Sequence, residues 1–385
     1  MLVSLGIPQR FAVALLPAVI ACNACTQTSA TAQSATQDVQ VSEPGVIDPE
    51  FDQPSGRFTW VDAQGSVWIG RVDRASGNFI PPSGKAVLVD TGAVPADVVG
   101  NGPEWVYGQA GAQIVYTKYD EDGGYALGRA RFSGKTWSGD ILENGTDRFG
   151  PFGSLDRADP APRISYVGRD LSGRLVSFWR ELANPASETV VPGATYPGSR
   201  WVPGRRAVVF VQEAGGVRQV FTYDIDRQIS EQLTFDPGLK KAPFLWQAPE
   251  FGGALVLLAL VDETHLGLYR RIQGRWTRFA TLKPPSTGDY LWSPEPLVHN
   301  GKSYVFMVTS TSSDSQSRTV PTDIWLAGID PTAPFYRQLS DATARVRTDP
   351  EVFVTDNGPY IYFLVFLDPE TPAILRTDTG LGPSQ

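Results

Sequence analysis

From Phe58 to the C-terminus the hydrophobic positions come in short runs. Phe58-Thr59-Trp60-Val61, Val67-Trp68-Ile69, Ala86-Val87-Leu88-Val89, Gln113-Ile114-Val115-Tyr116-Thr117 and Ala207-Val208-Val209-Phe210-Val211 are rich in β-branched and aromatic residues and are separated by clusters of Gly, Asp, Asn and Pro. Runs of this kind predict strands, and the punctuation predicts turns. No stretch of ten or more residues carries a convincing helical period.

The runs recur as a unit. A Pro-marked turn, an apolar run, a Gly/Asp/Asn turn and a further strand return six times at spacings of 38 to 57 residues, starting at Gly102-Pro103-Glu104-Trp105, Asp159-Pro160, Pro197-Gly198-Ser199-Arg200-Trp201, Lys241-Ala242-Pro243, Trp292-Ser293-Pro294-Glu295 and Asp349-Pro350-Glu351. A repeat of about 40–50 residues with several short strands predicts the blades of a β-propeller: all-β, one ring of four-stranded antiparallel sheets. Blade two shows the whole unit, with strands at Pro103–Tyr107, Gln113–Thr117, Tyr125–Phe132 and Thr136–Leu142. Blade three is read at 157–193, blade four at 197–238, blade five at 241–286, blade six at 290–341 and blade seven from Asp349. Blade one lacks an innermost strand and blade seven an outermost one, so the count is seven, or six if the end blades are partial. An open blade exposes a strand edge, so one end of the chain is expected to complete the other end's blade.

The N-terminus reads as a targeting signal over residues 1–21. Arg10 precedes an apolar run, Phe11–Ala21, too short to span a bilayer. Val19-Ile20-Ala21-Cys22 resembles a bacterial lipobox, which implies acylation of Cys22 and a lipid anchor to an extracytoplasmic membrane face; an ordinary secretory signal cut near Ala21 or Ala24 is the alternative. The only cysteines are Cys22 and Cys25, so the body has neither a disulfide framework nor a thiolate site. Residues 22–57 begin with a Thr, Ser, Gln and Ala-rich stretch and are read as a flexible tether, with the propeller at 58–385. A net charge of −8 argues against nonspecific nucleic-acid binding. With only His265 and His299, neither a Ser-His-Asp triad nor a His-based metal site is expected, and no cofactor is implied. The expected state is a monomer.

Two resemblances bear on function. Arg200-Trp201-Val202-Pro203-Gly204, the strand Ala207–Val211, then Gln219–Asp226 and Gln232-Leu233-Thr234 resemble the repeat of TolB-type (WD40-like, PD40) propellers. That resemblance implies an extracytoplasmic domain that binds a protein partner. Leu291-Trp292-Ser293-Pro294-Glu295-Pro296 is similar to the carboxylate-bearing turn of five-bladed glycosidases, and Ala248-Pro249-Glu250-Phe251 and Gly102-Pro103-Glu104-Trp105 resemble it more weakly. That pattern implies acids from different blades meeting at the channel mouth. It also implies a base Asp beside a Pro at the opening of blade one, where this chain reads Gly56-Arg57-Phe58-Thr59-Trp60.

The candidate site residues follow. Glu104, Glu250 and Glu295 are the catalytic candidates if the protein is an enzyme, since two carboxyls about 5–9 Å apart can cleave a glycosidic bond. Trp105, Trp246, Trp292 and Glu351 are candidates for ligand contact. The competing reading is that each Pro-Glu pair starts a strand and each Trp packs between blades. On balance the chain reads as a membrane-anchored envelope propeller that binds a protein, peptide or glycan, with a carbohydrate-active hydrolase or lyase as the alternative.

Overall fold

The computed structural model describes residues 37–142, 147–194, 198–368 and 371–385. The signal segment, Cys22 and Cys25 lie outside the described residues. The described chain forms seven antiparallel sheets in a ring, a seven-bladed β-propeller. The only α-helical segment among the described residues is the single turn Ala96–Val99.

Blades two, four, five and six run from axis to rim in chain order, as the repeat predicts. Blade five is typical: Lys240–Ala248, Ala254–Val261, His265–Ile272 and Arg275–Leu282 pair in succession. Its second strand is buried nearly throughout, because both of its faces pack on neighbouring blades. The outermost strand is mostly exposed or half-buried, as a rim strand is. The Asn300-Gly301 hairpin in blade six has φ of +47° and +71°, the left-handed pair such a turn requires. His299 beside it is buried and meets the Gly382 carbonyl at 2.9 Å, so this turn is covered by the C-terminal tail.

The structure differs from the sequence reading at both ends of the ring. Residues read as tether are folded into it. Val39–Gln40 pairs with Thr371–Asp378 and supplies the outermost strand of blade seven. Glu50–Asp52 pairs with Arg57–Val61 and supplies the innermost strand of blade one. The two missing strands thus both come from the N-terminal segment, which closes the edge an open blade would leave. Its sequence reads as tether because two- and three-residue strands are too short to show a period. Blade three is also displaced: its inner strand is Arg148–Gly153, and Asp159-Pro160 lies in the loop after it.

Candidate functional site

Each blade presents one side chain to the axis through the same local device. The first strand carries a tripeptide in which the first residue is usually left-handed, the second is usually proline and the third points into the central cavity. The tripeptides are Asp48-Pro49-Glu50, Gly102-Pro103-Glu104, Gly150-Pro151-Phe152, Gly198-Ser199-Arg200, Ala242-Pro243-Phe244, Ser293-Pro294-Glu295 and Asp349-Pro350-Glu351. The φ of the first residue is +49° at Asp48, +59° at Gly150 and Gly198, +44° at Ala242, +42° at Ser293 and +53° at Asp349. Strand register breaks at this point in blades three, five, six and seven, as a bulge does when it re-aims a side chain. Proline costs no ladder hydrogen bond there.

The ring is therefore Glu50, Glu104, Phe152, Arg200, Phe244, Glu295 and Glu351, all lining one cavity of about 810 Å³. It is lopsided. Blades six, seven, one and two contribute four glutamates, with Asp349 and Asp48 beside them. Blades three to five contribute Arg200 between two phenylalanines, its guanidinium 4.9 Å from the Phe152 ring centre and 4.1 Å from that of Phe244. Arg200 Nη1 reaches to 3.7 Å from Glu295 Oε1. Six carboxyls thus crowd the ring against one guanidinium, and Asp97 and, on the blade-six insertion, Arg318 line the same cavity.

Crowding sets the protonation of these acids. Burial, offset by Arg200 and reinforced by Glu295, lifts Glu104 from the usual carboxylate range to about 7. Burial, Arg200 and Asp349 act in the same senses on Glu295, also to about 7. Asp48, Glu50 and Glu351 lie farther from Arg200 in the ring, and burial plus neighbouring carboxylates pushes all three well up. Asp349 beside it adds to the upward push on Asp48. Gly102 makes room for it: a Cβ there would sit 2.5 Å from Asp48 Oδ2.

Aromatic walls complete the cavity. Trp105 Nε1 donates to the Glu50 carbonyl at 2.9 Å and Trp201 Nε1 to the Phe152 carbonyl at 3.1 Å. Each indole thereby pins the axial residue of the preceding blade. Trp292 also lines the cavity, stacked on Tyr290 with ring centres 6.0 Å apart, and its indole N–H has no acceptor among the described residues.

Of the sequence candidates, Glu104, Glu295, Glu351, Trp105 and Trp292 meet in this cavity. Glu250 and Trp246 do not. Glu250 sits in the turn Pro249–Phe251, past the end of its strand, where its carboxylate accepts from the backbone N–H of Ser303 and, at 2.8 Å, from its hydroxyl. Trp246 is buried between blades and donates to the same hydroxyl at 3.1 Å. The two tie blade five to blade six. Sequence reading missed Asp48, Glu50, Arg200, Phe152 and Phe244 as site residues; the signal was the shared tripeptide, whose first copy lay in the presumed tether. Asp48 beside Pro49 occupies the opening of blade one, where the glycosidase pattern asks for an Asp. Among the described residues no group of three or more His, Cys, Asp or Glu is arranged to hold a metal ion.

No family profile and no curated protein matches the chain. Among solved structures, TolB from Acinetobacter baumannii is 13% identical, with 85% of this chain and 79% of that one covered and a TM-score of 0.36. Trypanosoma rangeli sialidase is 11% identical over 90% of this chain and 60% of that one, TM-score 0.46. The β-propeller domain of the Trilobed protease from Pyrococcus furiosus is 12% identical over 73% and 83%, TM-score 0.43. All three lie below a TM-score of 0.5, too distant to assign this chain a family or an activity.

Proposed function

We propose that this protein is a lipid-anchored extracytoplasmic propeller whose axial cavity binds a basic segment of a peptide or protein partner. The observation that carries the reading is the lopsided ring: six carboxyls around a cavity open to solvent, with aromatic walls. A lysine or arginine side chain entering it would meet opposite charge on one side and ring faces on the other, both favourable to a cation. It would also offset the burial and mutual repulsion that raise Asp48, Glu50, Glu104, Glu295 and Glu351, so binding should release protons and tighten as pH rises. The lipobox at Cys22 supports the anchor, and the TolB-like repeat over 200–238 supports an envelope partner.

Calorimetric titration with hexalysine tests this. Expected is saturable binding at pH 8 that weakens at least tenfold at pH 5.5, with heats that depend on the buffer's ionisation enthalpy. Hexalysine binding no better than an uncharged hexapeptide, or equally well to an E104Q/E295Q/E351Q variant, removes the reading.

A carbohydrate-active hydrolase is the second reading, favoured by Glu104 and Glu295 both held near 7 in one pocket with Asp48 beside Pro49. A carboxyl near neutrality suits a general acid. Chromogenic glycosides decide it: turnover lost about a hundredfold or more in E295Q supports it, and no turnover of any tested linkage ends it.

A further inference from the structure

Arg200 is fixed in place while its donors stay open. Ser165 Oγ donates to the Ser199 carbonyl at 2.6 Å, and Trp201 Nε1 to the Phe152 carbonyl at 3.1 Å, so the residues on both sides of the arginine are tied to blade three. Phe152 from blade three and Phe244 from blade five flank the guanidinium with ring centres 4.9 and 4.1 Å away, and neither side chain offers it an oxygen. Among the described residues the one carboxylate within 4 Å is Glu295, and at 3.7 Å it is beyond hydrogen-bond length. No other acceptor among those residues meets an Arg200 N–H. The side chain is nevertheless 40% exposed, in the wall of the axial cavity. A guanidinium carries five donors in a planar fork that matches a carboxylate in two parallel hydrogen bonds. Here that fork is held between two rings and faces open space.

The opposite charge stands across the axis. In a ring of seven, blade four faces the junction of blades seven and one, and that junction carries Asp349 and Glu351 beside Asp48 and Glu50. The second cation of the lining, Arg318, is also on the blade-seven side, its guanidinium 4.7 Å from the Phe366 ring centre. The lining still sets seven carboxyls against two guanidiniums. A lone anion drawn to Arg200 would be repelled by that excess of acids, and a lone cation would meet the like charge of Arg200. A ligand that carries both charges satisfies both sides of the cavity. We propose that the segment taken into the cavity is a chain end: the C-terminal carboxylate of a peptide or protein partner docks on the Arg200 fork, and a basic side chain among its last residues reaches the carboxyls of blades seven and one. An axial cavity walled by seven blades admits an end more readily than a loop, which has to enter and return. Phe152 and Phe244 shield the carboxylate–guanidinium pair from water, which strengthens it. Lysine at position 200 would bring the charge without the fork. The inference rests on the basic-segment reading above and adds which part of the partner enters.

Calorimetric titration of the full chain at pH 8 with three peptides tests it: hexalysine with a free C-terminal carboxylate, hexalysine amide, and hexalysine amide with one glutamate inserted at its middle, which has the net charge of the free acid. Charge attraction alone favours the amide, the most cationic of the three. The chain-end assignment has the opposite sign: the free acid is expected to bind at least about tenfold tighter than either amide, as a bidentate charged hydrogen bond allows. R200M should bring the acid and the amides to within about twofold of one another, and R200K should keep only part of the preference. R200K carries the test if R200M does not fold. Equal affinities for acid and amide, tighter binding of the amide, or a glutamate-bearing amide as tight as the free acid overturns the assignment while the basic-segment reading stands. So does a preference that survives both Arg200 variants, or that R318M abolishes and they do not. Failure of all three peptides to bind removes the basic-segment reading and this inference with it.

Discussion

Asp38 and Arg347 are 309 residues apart in sequence and form a buried ion pair, Nη2 to Oδ2 2.7 Å, with both side chains at 1% exposure or less. The guanidinium also reaches the Thr322 carbonyl at 2.8 Å, the Asp341 carboxylate at 2.9 Å and the Thr343 carbonyl at 2.9 Å. Its donors are thus spent on partners from three places in the chain: the N-terminal segment, the first residue of blade six's third strand, and the loop leading to blade seven. A buried charge left without its partner is costly, whereas the satisfied pair is close to neutral.

Removing one partner should therefore be worse than removing both. R347A is expected to lower unfolding free energy by about 3–5 kcal/mol, and D38A by a similar amount. D38A/R347M should recover part of that loss, because no bare charge remains. Urea denaturation of the three variants checks this; strictly additive losses would mean that the pair acts through packing and not through charge.

Stability should fall as the solution becomes alkaline. Glu104 and Glu295 move from an ordinary value of 4.5 to about 7 on folding, and Asp48, Glu50 and Glu351 are also raised. Between the unfolded and folded values the native chain binds more protons, so unfolding free energy declines as pH rises through that interval. The acids held low, among them Asp52 beside Ser55, Tyr107 and Arg57, and Glu188 beside Arg148 and Tyr166, have the opposite sign. Their contribution is lost only as pH drops below the usual carboxylate range, outside this window. Thermal unfolding should show a decline between pH 5 and 8 that E104Q/E295Q flattens. A melting temperature that rises over this range contradicts the burial of these groups.

How much of this was legible in the sequence depends on strand length. Blades two, four, five and six were readable because their strands run long enough to show alternation, and Pro-Gly, Asn-Gly and Gly-Gly turns bound them. The N-terminal closure was not. Val39–Gln40 pairs with Arg376 and Leu375 near the far end of the chain, and Glu50–Asp52 makes only a three-residue pairing with Arg57–Thr59; neither shows in a local pattern. For the site, Pro294-Glu295 and Pro350-Glu351 were picked out by their dipeptide. Pro249-Glu250 shares the dipeptide but follows its strand, and its blade's axial residue is Phe244. The left-handed residue before the proline separates the two cases; at Ala242, Ser293 and Asp349 it is a conformation that sequence propensity disfavours, and only the structure reveals it. Fixed strain at such positions is commonest where a side chain must be aimed.

Arg200 should govern the protonation of its neighbours. Its charge lowers both Glu104 and Glu295 against the upward push of burial. R200M keeps much of the packing between Phe152 and Phe244 and removes the charge, so both glutamates should titrate higher than in the parent. Carbon-13 NMR of labelled glutamate carboxyls measures this directly. Unmoved Glu104 and Glu295 titrations would mean that the guanidinium is screened from them.

Membrane attachment has its own test. If Cys22 carries the lipid, Cys22→Ser should shift the protein from the membrane pellet to the soluble fraction after expression in a bacterial host, while the secreted propeller keeps its melting temperature. A variant that still sediments with membranes removes the anchor reading.

The close approach of blades two and three gives the last prediction. Gly153 ends the inner strand of blade three and faces the backbone of blade two: a Cβ there would lie 2.3 Å from the Trp105 carbonyl oxygen and 2.8 Å from Val106 Cα. Neither atom belongs to a flexible side-chain tip, so the blades themselves must separate to admit a methyl group. Both Gly153 and Trp105 line the axial cavity, and Phe152 precedes the glycine. G153A should cost about 1–3 kcal/mol, the range for overpacking a filled interior, and should weaken any axial ligand by displacing Phe152 and the Trp105–Glu50 hydrogen bond together. Gly328, where a Cβ would stand 3.3 Å from the Phe335 side chain on a partly exposed strand end, is the control. G328A should cost well under 1 kcal/mol. Denaturation of the two variants side by side checks the difference, and equal losses would show that the blade interface yields more readily than a backbone-to-backbone contact should.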